Sequence, residues 1–145
     1  MPTVRKSALV PYSATQMFAL VDDIESYPRF LPWCRSTRVL SRNSDEVQAT
    51  IELAKGGVRK AFTTCNRLQQ DKMIEIRLVE GPFRHLEGYW RFEPLSQDAC
   101  KVSLDLEFDF SNTLLRMAIG PIFHQMANSF VDAFCKRAVE VYGGR

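Results

Sequence analysis

The sequence predicts an α+β fold in which a curved, seven-stranded antiparallel sheet packs around one long C-terminal helix. Apolar residues recur every three or four positions over residues 112–142, which is the spacing of one helical face. Upstream, apolar and polar residues alternate in short runs joined by tight turns, as in consecutive antiparallel strands. A sheet with one continuous apolar face needs a cover, and the long helix supplies it.

The chain begins with a predicted strand followed by a short helix. Residues 3–10 are rich in β-formers, and the strand stops at Pro11 because proline cannot donate to a strand ladder. Ser13 with Gln16 three positions later is typical of a capping box, which predicts a helix start at this point. The apolar face of this helix continues to about Glu25.

Residues 27–34 (YPRFLPWC) place four large apolar side chains between two prolines. The first proline ends the preceding helix, and no regular element extends far between the two. Such a segment packs over something apolar, so it either plugs one end of the core or forms the rim of a pocket. Composition alone favours the plug, because aromatic clusters are more often core than binding site.

Six further strands follow, the first beginning near Ser36. The others are predicted at residues 47–53, 58–68, 73–79, 86–93 and 101–110, with turns at residues 55–57, 69–72 and 81–82. The last strand alternates without a fault. We predict that its apolar set faces the helix, namely Val102, Leu104, Leu106, Phe108 and Phe110. Its polar set is predicted to face water, namely Lys101, Ser103, Asp105, Glu107 and Asp109.

The long helix carries an apolar face that is predicted to lie on the sheet. That face comprises Leu115, Ile119, Ile122, Phe123, Met126, Ala127, Phe130, Phe134, Ala138 and Val141. The opposite, polar face comprises Gln125, Asn128, Ser129, Asp132, Lys136 and Glu140. Because proline removes a backbone donor and disfavours helical geometry in the residue before it, we expect a kink or short break at Gly120-Pro121.

Length and composition predict one globular domain spanning residues 1–145. The chain is 46% hydrophobic, and its net charge of +2 gives no indication of nucleic-acid binding. Four widely spaced cysteines are expected to be free, mostly buried thiols, and no metal site is predicted. The strand pattern from Thr3 leaves no room for a targeting peptide, and no apolar run is long enough to span a membrane, so we expect a soluble, cytoplasmic protein.

A search for catalytic motifs identifies no catalytic residue. The chain lacks a nucleophile elbow, a phosphate-binding glycine loop and a zinc-protease motif. His124 is predicted at the boundary of the helix's apolar face, and His85 is expected to face solvent. The acidic cluster of Asp22, Asp23 and Glu25 is most simply a solvated rim.

A set of large apolar side chains is predicted to converge between sheet and helix. Its members are Phe30, Leu31, Trp33, Phe83, Leu86, Trp90, Phe92, Phe123, Met126, Phe130 and Phe134. They form either a tight core or a pocket for a hydrophobic ligand, and periodicity does not separate the two.

Five runs carry a resemblance to a known family. They are residues 10–14 (VPYSA), 23–34 (DIESYPRFLPWC), 79–83 (VEGPF), 86–92 (LEGYWRF) and 133–138 (AFCKRA). Together they resemble the coenzyme-Q-binding branch of the START-like, polyketide-cyclase-like superfamily. The resemblance implies the START/Bet v1-like helix-grip fold. It also implies two activities: binding ubiquinone in a cavity to support respiration and, for bacterial members known as ribosome association toxins, binding the large ribosomal subunit so that subunits cannot join.

We therefore expect a non-enzymatic protein that binds a polyprenyl quinone or similar lipid and carries no other cofactor. The cavity is predicted to open near residues 28–33 and the turn at residues 81–83, with the quinone ring stacked on Trp90 or Trp33. The expected location is cytoplasmic, with transient contact to the inner membrane surface.

Two alternatives remain. The first is association with the large ribosomal subunit through the densest basic set, which comprises Arg35, Arg38, Arg42, Lys55, Arg59 and Lys60. The second is an aromatase- or cyclase-like enzyme, which is the least favoured because the inward positions offer few titratable groups.

Overall fold

The computed structural model describes residues 3–55 and 57–143. The elements are β1 (Thr3–Val10), α1 (Ala14–Asp22), a 3₁₀ helix (Ile24–Arg29), β2 (Cys34–Arg42), β3 (Glu46–Lys55), β4 (Val58–Gln69), β5 (Met73–Glu80), β6 (Phe83–Ser96), β7 (Ala99–Phe110) and α2 (Thr113–Tyr142). The strands form one antiparallel sheet in the order β1-β7-β6-β5-β4-β3-β2. The predicted fold class is confirmed. The predicted turn residue Gly56 lies outside the described part of the chain.

The first strand pairs with the last one. Val4 lies opposite Leu106, and Val10 lies opposite Cys100 across the β1–β7 ladder. The other neighbouring strands in the sheet are consecutive in the chain. A single ladder therefore joins the beginning of the chain to its last third and leaves β1 and β2 as the edge strands.

The sheet brings the backbones of β6 and β7 unusually close at Gly88. A Cβ at this position would lie 2.2 Å from the carbonyl oxygen of Asp105 and 2.9 Å from the Cα of Leu106. Both neighbours are backbone atoms held in the β6–β7 ladder, so they cannot move aside. Glycine is therefore required where these two strands approach each other.

The predicted alternation of β7 is confirmed, with one exception. The five apolar residues from Val102 to Phe110 are all buried. Asp109 was predicted to face water but is only 9% exposed. Its Oδ1 lies 3.0 Å from Arg116 Nε, and its Oδ2 lies 3.2 Å from the guanidinium of Arg84. The paired guanidinium groups compensate for burial of this charge.

Helix α1 begins as predicted and ends earlier than expected. The hydroxyl of Ser13 accepts a hydrogen bond from the backbone N–H of Gln16, whose side-chain oxygen accepts one from the N–H of Ser13. The α-helix ends at Asp22 rather than near Glu25, and a 3₁₀ helix containing Pro28 follows. This tighter helix accommodates the proline that prevents α1 from continuing.

Of the kink or short break predicted at Gly120-Pro121, the break is wrong, because helix α2 is continuous through Pro121, while the kink stays a prediction. One proline costs the helix a backbone hydrogen bond, whereas Ile119 and Phe123 on either side are 4% and 2% exposed. Burial of this face is sufficient to hold the helix together. The predicted apolar face is mostly confirmed, except that Val131 is buried and Val141 is 48% exposed.

Two tyrosines fasten the C-terminal end of α2 to the region of α1. The hydroxyl of Tyr12 donates to the carbonyl of Gly143 at 2.5 Å, and that of Tyr142 donates to the carbonyl of Gln16 at 2.9 Å. The two rings lie 5.9 Å apart. These contacts fix the position of α2 over the sheet.

Candidate ligand-binding site

A cavity of about 80 Å³ lies between the inner face of the sheet, α1, the 3₁₀ helix and α2. Its lining comprises Val21, Ile24, Tyr27, Leu31, Trp33, Ile51, Phe62, Thr64, Asn66, Ile74, Ile76, Leu86, Trp90, Leu106, Phe123, Phe130 and Phe134. The side chains are largely apolar, and both tryptophans of the chain are among them.

Most of the predicted ligand-binding residues lie on this cavity. The seven that line it are Leu31, Trp33, Leu86, Trp90, Phe123, Phe130 and Phe134. The four that do not are Phe30, Phe83, Phe92 and Met126. Phe83 and Phe92 pack in solid core, whereas Phe30 and Met126 line a separate groove described below.

The turn at residues 81–83 is not part of the cavity, contrary to our expectation. The ring of Phe83 stacks on Phe110 with centroids 4.9 Å apart and meets Phe123 edge-on at 5.0 Å. Phe92 packs edge-on against Phe18 at 5.6 Å. These rings fill their part of the core, so of the two predicted segments only residues 28–33 contribute to the cavity, through Leu31 and Trp33.

Phe134 organises one wall of the cavity. Its ring meets Tyr27 at 5.4 Å, Phe30 at 5.2 Å and Trp90 at 5.2 Å, each edge-on. This geometry is favourable for aromatic quadrupoles. The wall therefore joins α2, the 3₁₀ helix and β6 through one residue.

Polar groups in the cavity are few and come mainly from β4. The hydroxyl of Thr64 donates to Asn66 Oδ1 at 3.1 Å. Sequence reasoning did not single out these two residues, although the alternation of β4 predicts that they face inward beside Phe62. The hydroxyl of Tyr27 donates to the carbonyl of Val21. Burial raises the pKa of Tyr27 far above its usual value, so the phenol stays neutral.

The cavity is small for a complete lipid. A volume of about 80 Å³ accommodates several water molecules or a small ring, since one water needs roughly 10–15 Å³ by this measure. Pockets for drug-sized ligands measure roughly 300–1,000 Å³. A ligand with a long prenyl tail therefore requires side chains of the wall to move or the tail to leave the cavity.

A second concavity, the outer groove, lies between the 27–33 segment and the exposed side of α2. It measures about 710 Å³ and is lined by Arg29, Phe30, Pro32, Trp33, Lys55, Gln125, Met126, Ser129, Asp132, Ala133, Lys136, Arg137 and Glu140. Trp33 belongs to both linings. One indole therefore separates the apolar cavity from a groove with a charged rim.

The six residues of the predicted RNA-contact set do not form one free basic surface. Arg35 and Arg59 lie 3.2 and 3.1 Å from the carboxylate of Glu52, and the hydrogen bond from Arg59 holds the pKa of that carboxyl below its usual value. Arg42 lies 3.0 Å from Asp22. Lys55 donates to the side-chain oxygen of Gln125, while Arg38 and Lys60 have no carboxylate partner within residues 3–55 and 57–143.

His85 is less open to solvent than expected. Its side chain is 30% exposed, and Nε2 lies 3.6 Å from Glu87 and 3.8 Å from Glu107 on the outer face of the sheet. These three groups lie close enough together to share a metal ion, and the absence of a metal site stays a prediction. His124 is exposed, with its ring 6.1 Å from Phe108.

Residues 10–135 match the protein-family profile described as polyketide cyclase/dehydrase and lipid transport. This chain belongs to that family. The ribosome association toxin RatA of Escherichia coli K12 is 46% identical over all of this chain and 92% of its own length. The mitochondrial coenzyme Q-binding protein COQ10 homolog B of Xenopus laevis is 30% identical over 95% of this chain and 58% of its own length.

Solved structures support the same fold. The ZhuI aromatase/cyclase of Streptomyces sp. R1128 is 16% identical and covers 99% of both chains with a TM-score of 0.84. A START superfamily protein from Mycobacterium smegmatis is 22% identical and covers 92% of both chains with a TM-score of 0.70. The chain thus adopts the START-like helix-grip fold.

The lining offers this family member little for acid–base catalysis. Among the described residues of the cavity, Tyr27 carries the only titratable group. Cys34 lies next to the lining residue Trp33, and burial raises its thiol pKa to about 11. What the site does offer is apolar surface together with the amide of Asn66 and the hydroxyl of Thr64.

No helix within the described ranges is both long and apolar enough to cross a membrane.

Proposed function

We propose that this chain is a non-enzymatic binding protein that holds ubiquinone or another polyprenyl lipid between sheet and helix, in support of respiratory quinone function. The observation that carries the proposal is the apolar cavity, which is lined by both tryptophans and by few polar side chains. The coenzyme Q-binding relative supports the choice of a quinone. Apolar pockets with a few fixed polar groups are the usual form of such sites.

In this proposal the quinone ring stacks on Trp90 or Trp33. The side-chain NH2 of Asn66 is the group that would donate to a ring carbonyl, because its Oδ1 already accepts from Thr64. The tail follows Phe130 and leaves the small cavity beside Trp33. Burying a prenyl chain at roughly 25 cal/mol per Å² gives affinity that grows with tail length and does not depend on salt.

The test is a titration of the native protein and Trp90→Ala with quinones of increasing tail length. We expect Trp90→Ala to weaken binding by about 1 to 3 kcal/mol, the value of a stacked, buried aromatic side chain. Phe18→Ala is the matched control, since this ring is buried yet outside the cavity lining. Weak binding that ignores both tail length and Trp90 would refute quinone binding.

A second function is proposed on the strength of the closer relative. The 46% identity with RatA extends over the whole chain and exceeds the 30% identity with the COQ10 homologue. We propose, as the alternative function, that this chain associates with the large ribosomal subunit and thereby blocks subunit joining. Co-sedimentation with purified large subunits tests it, and binding should weaken steeply with salt if RNA is the contact. Absence of co-sedimentation at low salt would refute it.

An aromatase- or cyclase-like activity has less support. The similarity to ZhuI is a likeness of fold at 16% identity. Acid–base chemistry on a polyketide needs positioned titratable groups, and the described cavity lining contributes only the neutral phenol of Tyr27.

A further inference from the structure

We propose that the outer groove binds ribosomal RNA, and that the outer face of β2–β4 does not. This inference rests on the second proposed function, association with the large ribosomal subunit. It differs from the sequence-based prediction, which placed the contacts on a basic set centred on β2, β3 and the start of β4. Of that set, only Lys55 lines the groove.

The groove collects cations from three separate elements. Arg29 comes from the 3₁₀ helix, Lys55 from the end of β3, and Lys136 and Arg137 from α2. The acidic residues of its lining are Asp132 and Glu140. Four cations against two anions leave the lining with a net charge of +2. This excess is invisible in the sequence because the contributing residues lie far apart in the chain.

The cations of the groove are largely available. Within the described ranges, Arg29 and Lys136 have no carboxylate partner, and Lys55 bonds only to the neutral amide of Gln125. Arg137 lies 3.6 Å from Glu140, a carboxylate that is itself 61% exposed. On the outer face of β2–β4, by contrast, the single carboxylate of Glu52 holds two of the arginines.

The groove also offers apolar and aromatic surface between the charges. Phe30, Pro32 and Trp33 line it together with Met126. The guanidinium of Arg137 lies 5.2 Å from the centroid of the Phe30 ring, so this part of the groove presents a cation above an aromatic face. Loops of RNA are bound by this combination of phosphate contacts and planar surfaces, whereas a purely cationic strip binds any polyanion.

The experiment compares three triple charge reversals in co-sedimentation with purified large ribosomal subunits. The groove variant is Arg29→Glu, Lys55→Glu and Lys136→Glu. The sheet variant is Arg35→Glu, Arg38→Glu and Arg59→Glu. The control variant reverses exposed residues elsewhere, namely Lys6→Glu, Lys72→Glu and Arg91→Glu. Each variant changes the net charge equally, so bulk charge cannot explain a difference among them.

The expected result is that the groove variant alone loses binding, by at least tenfold. Neutral Gln substitutions at the three groove positions should reduce the slope of log affinity against log salt by about 2, since each phosphate contact contributes roughly 0.7 to 0.9. Because these substitutions introduce no repulsion, they also serve if the reversed variant does not fold. Thermal unfolding of every variant confirms that the protein is intact.

The outcomes separate this inference from the function on which it rests. If the native protein does not co-sediment, ribosome association fails and the inference fails with it. If the native protein and both groove variants bind alike, association stands and the groove inference is overturned. Loss of binding in the sheet variant, with the groove variants unaffected, would show that RNA contacts the outer face of β2–β4 and would overturn the groove inference.

Discussion

Filling the cavity from inside should abolish ligand binding without destabilising the protein. Ile51 lies on β3, is half-buried and lines the cavity, so Ile51→Phe adds three carbon atoms to its wall. A cavity volume of about 80 Å³, at roughly 24 cal/mol per Å³, corresponds to about 2 kcal/mol of lost stability. We expect the free energy of unfolding to change by an amount between zero and this gain, because some overpacking strain opposes it.

The assay uses the two tryptophans of the chain, both of which line the cavity, so quenching of their fluorescence by a short-tailed quinone reports binding there. Urea unfolding measures the stability of the same variants. We expect at least tenfold weaker binding by Ile51→Phe, and no change for Leu9→Phe, which adds the same three carbon atoms at a 71% exposed position. Coincident quenching curves for Ile51→Phe and the native protein, at equal stability, would show that the ligand does not occupy this cavity.

Three further outcomes are expected. The hydrogen bond from Arg116 lowers the pKa of Asp109, so the stabilising effect of the ionised carboxylate is present above the unfolded pKa near 3.8 and is lost as pH falls through the lower folded value. In thermal unfolding between pH 7 and pH 2, the unfolding temperature of Asp109→Asn should therefore fall less with acid than that of the native protein. Equal slopes of unfolding temperature against pH would contradict this. Burial raises the thiol pKa of Cys34 and Cys100 to about 11, so alkylation of both at pH 8 should be far slower than that of free cysteine. Gly88→Ala should lower the free energy of unfolding by roughly 3 kcal/mol, since its Cβ would overlap backbone of β7; a change within 0.5 kcal/mol would refute that account.

Local periodicity was sufficient to predict the sheet and both helices. In β7 the alternation assigned every apolar residue correctly, because a shift of one residue would have buried several carboxylates. The burial of Asp109 was not predicted, since its partner Arg84 comes from β6 and lies 3.2 Å away only once the sheet has formed. Pro121 was overestimated as a helix breaker, because the sequence does not show how firmly Phe123 is held by its aromatic neighbours.

The candidate site was predictable in composition and not in detail. Sequence placed Phe83 and Trp90 in one aromatic set, yet only Trp90 lines the cavity, because ring packing decides where space remains. Thr64 and Asn66 lie two and four residues after the inward-facing Phe62 on β4, so the alternation of the strand was sufficient to predict that both face the cavity. The pairing of Arg59 with Glu52 depends on the register between β3 and β4, which sequence alone does not fix.

Pairing of the first strand with the last one determines when the fold can be completed during synthesis. Val10 pairs with Cys100, so β1 has no neighbour in the sheet until 90 further residues have been made. At roughly 5–20 residues per second this interval lasts about 5 to 20 s, far longer than the microseconds in which a hairpin forms. The nascent β1 must stay unpaired throughout, and the charged Arg5 and Lys6 in it oppose premature edge-to-edge association with other chains.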